Sequence, residues 1–285
     1  MTAHERALER LLRGLPKRHA SEWLYEHYFI AAKQRVATQP SGDAAFVAEL
    51  VAAGEGAHFW KPDFIASRRI GPGGFADGPI RLWIADRKRG QRPSNARLGA
   101  KVSVLMPCVR EAPLSGFVGL TSRGGSHPDD EPHLKLYVNA TPAGSLALFR
   151  ALTHEPALRR LRFDAKTLND PRLFGRRDTL LLYARVRDTP ALVKWLRVFM
   201  RERAELFRDE VPPLTQKLAR GLGLAESPFN TPESFGAQRC RLIAEGLVTA
   251  RRERRAWREC IAERFEREGH DWKRPWVGLA SHRVR

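Results

Sequence analysis

Apolar and polar residues alternate strictly from His133 to Asn139, where the sequence reads HLKLYVN. This period of two predicts a β-strand, because successive side chains of a strand point to opposite faces. The apolar face, which can pack on a core, consists of Leu134, Leu136 and Val138. The opposite face carries four chemically different polar side chains: His133, Lys135, Tyr137 and Asn139. A solvated strand face more often repeats Thr, Lys and Glu, so this mixed face indicates one side of an active site.

The patterns elsewhere predict helices towards both ends of the chain and strands between them. Apolar residues at helical spacing predict three helical segments within residues 3–54. Longer helices are predicted at 142–153, 190–208 and 234–268, and Gly269 is expected to end the last one. Alternating segments bounded by turn residues predict strands at 80–84, 101–106, 117–120, 133–139, 161–166 and 179–186.

These elements favour the α+β class, because helices and strands are partly segregated along the chain. The strand at 179–186 contains four consecutive apolar or aromatic residues, Leu180 to Tyr183, and is apolar enough for the centre of a sheet. We expect a helical N-terminal portion over residues 1–60 and an α+β portion over 61–285, together forming one compact domain. The sheet is expected to be antiparallel or mixed and flanked by helices.

The composition is that of a folded protein, with 285 residues of which 42% are hydrophobic. No apolar run approaches the length of a membrane span, and the first residues, MTAHERALERLL, lack the apolar segment of a signal peptide. We therefore expect a cytoplasmic protein without a membrane partner. Cys108, Cys240 and Cys260 lie far apart and form no CxxC motif, so they predict neither a zinc ribbon nor a disulfide scaffold.

The formal net charge of +18 predicts an anionic partner, such as nucleic acid, an acidic peptide, phosphorylated groups or acidic lipid. The positive residues are spread along the chain, and in 251–285 arginines alternate with glutamates as on a solvated helix face. No sequence signature of a nucleic-acid-binding module accompanies the charge. We therefore expect no nucleic-acid partner and favour a phosphorylated or acidic peptide.

Cationic residues on the next strands could join the face of Lys135. The strand at 161–166 places Arg162, Asp164 and Lys166 on its polar face, and Arg176, Arg177 and Asp178 precede the strand at 179–186. If these strands are neighbours, the cations converge and can bind phosphate. Repulsion between like charges would also lower the pKa of one lysine, so that it can act as a neutral base. The alternative is a set of surface cations at strand edges, where lysine protects against aggregation.

The segment His127 to Glu131 (HPDDE) resembles a motif of zinc-dependent N-deacetylases, in which His and Asp bind the metal. In that family the motif follows an N-terminal buried strand and requires a later His-x-x-His motif. Here it follows SRGGS in the middle of the chain, and no second histidine motif is present. We therefore interpret the segment as an acidic loop, and we expect no catalytic metal at His127, Asp129 or Asp130.

The order of HLKLYVN, a helix, LRFDAK and FGRRDTLLLY resembles the Hop-A type III effectors of plant pathogens. It is still more similar to the Hop-A-like lyases of class V lanthipeptide and thioamitide biosynthesis, and the similarity continues through residues 215–228 and 233–247. The resemblance implies a phosphoserine/phosphothreonine lyase. Such an enzyme eliminates phosphate from a ribosomal precursor peptide that a partner kinase has phosphorylated, leaving dehydroalanine or dehydrobutyrine. No metal, nucleotide or redox cofactor is implied.

A more distant resemblance to phosphothreonine lyases implies roles for individual residues. Lys135 would hold the phosphate, Lys166 would abstract the α-proton, and Arg176, with Arg177 beside it, would neutralise the leaving phosphate. Tyr137 occupies the position of the acid, which is a histidine in those enzymes. The remaining expected site residues are His133 as a substitute acid and Asn139, Asp178 and Arg239 as supporting groups. A non-catalytic effector-like module that binds a phosphorylated or acidic partner is the rival interpretation.

Overall fold

The protein is described from a computed structural model, which covers residues 2–32, 41–66, 68–71, 74–77, 80–83, 98–99, 101–128, 131–228 and 231–278. The helices are α1 (Ala3–Leu11), α2 (Ala20–Leu24), α3 (Ala44–Ala53), α4 (Pro142–His154), α5 (Thr189–Glu202), α6 (Phe235–Glu253) and α7 (Trp257–Arg267). The strands are β1 (His58–Ile65), β2 (Arg68–Gly71), β3 (Gly74–Asp77), β4 (Ile80–Trp83), β5 (Lys101–Pro107), β6 (Val109–Leu114), β7 (Phe117–Thr121), β8 (His133–Val138), β9 (Phe163–Leu168), β10 (Leu180–Arg185), β11 (Gln216–Ala219) and β12 (Leu222–Glu226). The predicted α+β class, with its helical N-terminal portion, is confirmed.

A seven-stranded antiparallel sheet with the order β11-β12-β8-β10-β9-β7-β6 carries the predicted site. The predicted position of the 179–186 strand at the centre of the sheet is correct, because β10 has three strands on either side. Its register places Tyr183 opposite Lys135 of β8 on one side and opposite Asp164 of β9 on the other. Two smaller antiparallel sheets, β1-β5 and β2-β3-β4, complete the described strands.

One face of this sheet packs on α3, α4 and α5. The apolar side chains of β8 and β10, including Leu136 and Leu182, are fully buried there with Phe149 of α4 and Leu196 of α5. Leu134, at the start of β8, is only half-buried. The apolar face predicted from the alternation therefore lies on a core, as expected.

The opposite face of the sheet is partly covered by helices from both ends of the chain. Residues of α1, α2, α6 and α7 form a second core with Tyr137 and Leu181 of the sheet. A π-helical turn at Tyr25–Phe29 follows α2 and brings Phe29 against α6. A side chain at Gly236 would prevent this contact, since its Cβ would lie 2.4 Å from the Phe29 ring. The face of Lys135 is thus enclosed on one side by a helical layer.

Several element boundaries differ from the sequence predictions. The single helix predicted over 234–268 is two helices, α6 and α7, separated at Arg254, which has a φ of 52° in the left-handed region. The break reverses the chain so that Ile261 packs against Gly246. Apolar residues keep their helical spacing through both helices, so this spacing did not reveal the break between α6 and α7. Strand β9 begins two residues later than predicted, and α5 ends at Glu202. Gly269, with a φ of 75°, follows the end of α7 as expected.

Across the described ranges, none of the helices combines the length and the apolar character needed to cross a bilayer.

Candidate active site

Two lysines and one tyrosine form the centre of the polar sheet face. The amine of Lys135 lies 5.4 Å from the centre of the Tyr183 ring, and the amine of Lys166 lies 5.7 Å from the same centre. Lys166 is also 4.5 Å from the ring centre of Phe117 on β7. Aromatic faces attract cations, so these rings help to hold both amines. The structure therefore brings together the two lysines predicted to share a site, which we call the lysine pair.

The environment of the lysine pair lowers the pKa of both amines. Burial, reinforced by the charge of Lys166, lowers the pKa of Lys135 to about 8. Burial also lowers the pKa of Lys166, but Asp178 opposes that shift while Arg176 adds to it. A pKa of about 8 leaves roughly a tenth of the Lys135 amine neutral at pH 7 and about half neutral at pH 8. Lys135 is the lysine that more easily becomes a base.

Arg176 and Asp178 are close enough to Lys166 to influence its pKa. The guanidinium of Arg176 donates to both carboxylate oxygens of Asp178, with 2.7 Å between Nη2 and Oδ2. Tyr25 of the π-helical turn also hydrogen-bonds to Arg176, and burial raises the pKa of Tyr25 to about 12. Arg176 is therefore near the lysine pair, but Asp178 balances its charge.

Tyr137 and His133 share the strand face of Lys135 but differ in their surroundings. Tyr137 is only 3% exposed, and its ring centre lies 5.8 Å from Phe29 and 6.3 Å from Phe235. Burial raises the pKa of Tyr137 well above its ordinary value, so the phenol keeps its proton. The half-buried His133 ring lies 4.5 Å from the His127 ring and 6.0 Å from the Tyr183 ring.

Three predicted site residues instead connect segments of the fold. Arg177 donates to the carboxylate of Glu210 at 2.8 Å and to the carbonyl of Tyr28 at 3.1 Å. The amide of Asn139 donates to the backbone carbonyl of Glu210 at 3.0 Å. Arg239, only 1% exposed, donates to the carbonyls of Pro275 and Val277 at 2.8 and 3.2 Å. Through these hydrogen bonds, the three side chains stabilise the fold by joining segments that are distant in sequence.

His127 and Asp164 form a hydrogen-bonded pair next to Tyr183, which the sequence patterns did not predict. Nδ1 of His127 is 2.7 Å from Oδ2 of Asp164, and the His127 ring stacks on Tyr183 at 6.0 Å with 13° between the planes. Thr121 Oγ1 donates to Asp164 at 2.7 Å. Alternation does place Asp164 on the face of Lys166, but no sequence pattern fixes where the loop before β8 puts His127. The His127–Asp164 pair is therefore an addition to the candidate site.

The zinc interpretation concerns His127, Asp129 and Asp130, of which the two aspartates lie outside the described residues. In the part of the chain that the structure describes, no group of three or more His, Cys, Asp or Glu side chains could hold a metal ion.

We predict that metal analysis of the purified protein finds no stoichiometric zinc. Zinc that disappears in Asp130→Ala together with activity would support the deacetylase instead.

The fold and the site together define an α+β protein whose antiparallel sheet carries a pair of lysines on a partly covered face. Residues 110–277 match the model of the HopA1 effector protein family, which is more than half of the 285 residues. The chain therefore belongs to the HopA1 effector protein family, and the predicted membership is confirmed.

Two solved structures share the fold over nearly the whole chain. The effector protein from Pseudomonas syringae pv. tomato strain DC3000 is 14% identical with a TM-score of 0.58, and the match covers 96% of each chain. The effector protein from Pseudomonas syringae pv. syringae strain 61 is 16% identical with a TM-score of 0.56, covering 96% of this chain and 94% of the other. At these identities the likeness shows the fold alone. No curated protein matches the chain significantly.

Proposed function

We propose that the protein is a phosphoserine/phosphothreonine lyase, which eliminates phosphate from a phosphorylated peptide to give dehydroalanine or dehydrobutyrine. The observation that carries this proposal is the lysine pair, in which a buried amine with a pKa of about 8 lies beside a second cation. Elimination needs a neutral base for the α-proton and positive charge for the phosphate and the developing enolate. The lysine pair would supply both from two amines that lie within 6 Å of the centre of one tyrosine ring.

Lys135 is the better candidate for the base and Lys166 for the phosphate-binding group. Lys135 is more deeply buried and has the lower pKa. Asp178 helps to keep Lys166 charged, and the positive charge of Arg176, which influences Lys166, would add to the attraction for phosphate. This assignment exchanges the two lysine roles that the resemblance to phosphothreonine lyases implies.

In the proposed reaction, the neutral amine of Lys135 removes the proton from Cα. The electrons of that bond form the Cα–Cβ double bond, and the Cβ–O bond breaks with its electrons on the leaving phosphate. Lys166 and Arg176 balance the negative charge on phosphate as it leaves. A partner kinase would supply the phosphorylated precursor peptide, because the lyase acts only on a residue that already carries phosphate.

Mass spectrometry of phosphoserine and phosphothreonine peptides, with and without the protein, tests this function. A lyase removes the mass of phosphoric acid and leaves an alkene that a thiol can trap. A phosphatase removes only the mass of HPO₃ and restores the hydroxyl. A phosphopeptide that remains unchanged in the presence of folded protein would contradict the lyase proposal.

The pairing of Arg176 with Asp178 favours a second candidate, a non-catalytic module that binds a phosphorylated or acidic partner. An arginine already balanced by a buried carboxylate offers less to a leaving phosphate than a free one would. Such a module would still use the lysine pair for binding. It would bind the phosphopeptide in calorimetry and leave its mass unchanged.

The pH dependence of elimination tests the role of Lys135. The neutral form of Lys135, which the free enzyme needs, increases with pH through a pKa of about 8, and we predict an inflection of the kcat/KM profile at this pKa. The phosphate group loses its second proton near pH 6, below this range. Because the charge of Lys166 helps to lower the Lys135 pKa, Lys166→Met should move the inflection to higher pH. An inflection that stays in place in Lys166→Met would assign the titration to another group.

A further inference from the structure

The His127–Asp164 pair lies against the same tyrosine ring as the lysine pair. Asp164 is opposite Tyr183 in the sheet, with Lys135 on the far side of that tyrosine. His127 stacks nearly parallel on the Tyr183 ring. Both amines of the lysine pair lie within 6 Å of that ring centre, at 5.4 and 5.7 Å. His127 and both amines of the lysine pair therefore surround one tyrosine ring.

The contact with Asp164 determines which nitrogen of His127 exchanges a proton. Burial alone would raise the pKa of Asp164, but hydrogen bonds from His127, Ser126 and Thr121 together lower it below its ordinary value. Asp164 is thus ionised, and a carboxylate only accepts hydrogen bonds. Nδ1 of His127 must therefore carry the hydrogen of the 2.7 Å contact. Nε2 is left as the nitrogen that takes up and releases a proton.

The orientation of His127 is fixed by more than one hydrogen bond. Asp164 also accepts from the backbone N–H of His127 at 3.1 Å, from Ser126 Oγ, and from Thr121 Oγ1 at 2.7 Å. Thr121 in turn accepts from Arg110 Nη2 at 2.7 Å. This arrangement holds the ring before any substrate binds, as a group that transfers a proton requires.

Tyr137, which the resemblance places at the position of the acid, is poorly suited to that role. It is enclosed by Phe29 and Phe235, and its phenol retains its proton more strongly than an ordinary tyrosine. His127 has 13% of its side chain exposed, whereas Tyr137 as a residue is only 3% exposed. Of the two side chains, His127 is therefore the more accessible to a group that approaches the sheet face from solvent.

We propose that His127 is the general acid of the lyase reaction and that Asp164 is its positioning residue, an inference that rests on the proposed function. Protonated His127 gives its Nε2 proton to the bridging oxygen while the Cβ–O bond breaks. The products are the dehydroamino acid, hydrogen phosphate, neutral His127 and protonated Lys135. Exchange with water then returns a proton to His127 and removes one from Lys135, so the enzyme is unchanged after each turnover.

The test compares two leaving groups in His127→Asn. The substrates are a phosphothreonine peptide and the same peptide carrying an O-linked thiophosphate, whose leaving group is less basic and needs less help from an acid. We expect His127→Asn to lower kcat for the phosphopeptide about 100-fold, at the lower end of general-acid effects because phosphate leaves readily. The loss with the thiophosphate should be several-fold smaller, and peptide affinity should stay within about twofold of wild type because the acid acts in the transition state.

Asp164→Asn and His154→Asn complete the set of variants. Asp164→Asn should show the same dependence on the leaving group with a smaller loss, because the ring remains but its orientation and its Nδ1 hydrogen are no longer fixed. His154, exposed at the end of α4, provides the matched control, and His154→Asn should behave as wild type.

Equal losses of kcat with both leaving groups in His127→Asn would overturn the inference and leave His127 a purely structural role. A wild-type rate in His127→Asn would overturn it as well. In either case the lyase function would stand, provided that the wild-type protein converts the phosphopeptide. Failure of the folded wild-type protein to convert either peptide would refute the proposed function and this inference together.

Discussion

Lys135→Met is expected to reduce phosphate elimination by about a thousandfold or more, within the range that a positioned base contributes. Phosphopeptide affinity should change by less than about threefold, because a base acts mainly in the transition state. Methionine is chosen because it fills the space of the buried lysine stem while removing the amine. The variant should fold at least as well as wild type, since burying an amine is costly and this substitution removes that cost.

Single-turnover mass spectrometry and calorimetry, applied to the same preparation of Lys135→Met, separate catalysis from binding. Lys217→Met is the matched control, because Lys217 is exposed on the edge strand β11 and should tolerate the change without effect. A small primary amine added to Lys135→Met should restore part of the rate if a missing base is the cause. Elimination at the wild-type rate in Lys135→Met would return the base role to Lys166, as the resemblance to phosphothreonine lyases implies.

The sequence predicted which face of strand β8 carries the site. It did not predict how deeply the side chains of that face are buried. Alternation correctly separated Leu136 from Lys135 and Tyr137, because a strand has a fixed period of two. The same pattern does not show what covers the polar face. Helices from both ends of the chain pack there, so Tyr137 becomes a core residue between Phe29 and Phe235. Whether a polar side chain lies in a site or in a core depends on contacts that are distant in sequence.

The convergence of Lys135 and Lys166 was predictable only on the condition that their strands share a sheet. The structure meets this condition through β10, which pairs with both β8 and β9. Arg176 and Arg177 are adjacent in sequence, yet one lies beside Lys166 and the other binds Glu210 and the Tyr28 carbonyl. Adjacent residues in a loop have no fixed relation between their directions, so only the fold separates these two arginines.

Arg176 is an unsuitable first test of phosphate binding, even though it lies near the lysine pair. Its removal would leave Asp178, which is buried, without a partner for its charge. Loss of one member of a buried ion pair costs about 3–5 kcal/mol of stability. A binding measurement on Arg176→Ala could therefore not distinguish unfolding of the protein from loss of phosphate binding. Within the described residues Lys166 forms no such ion pair, so its substitution leaves no buried carboxylate uncompensated.

Lys166→Met is expected to weaken phosphopeptide binding roughly 10- to 150-fold, the equivalent of a charge-assisted hydrogen bond worth about 1.5–3 kcal/mol. The methionine retains the stem that packs near Phe117, so the loss should come from the missing charge. Affinity for the unphosphorylated peptide should therefore change little, and the preference for the phosphorylated form should fall by the same factor. Calorimetry with both peptides measures this preference, with Lys217→Met as the control. An equal loss for the two peptides would mean that Lys166 supports the fold or the peptide backbone, and the phosphate would then have to bind elsewhere on the sheet face.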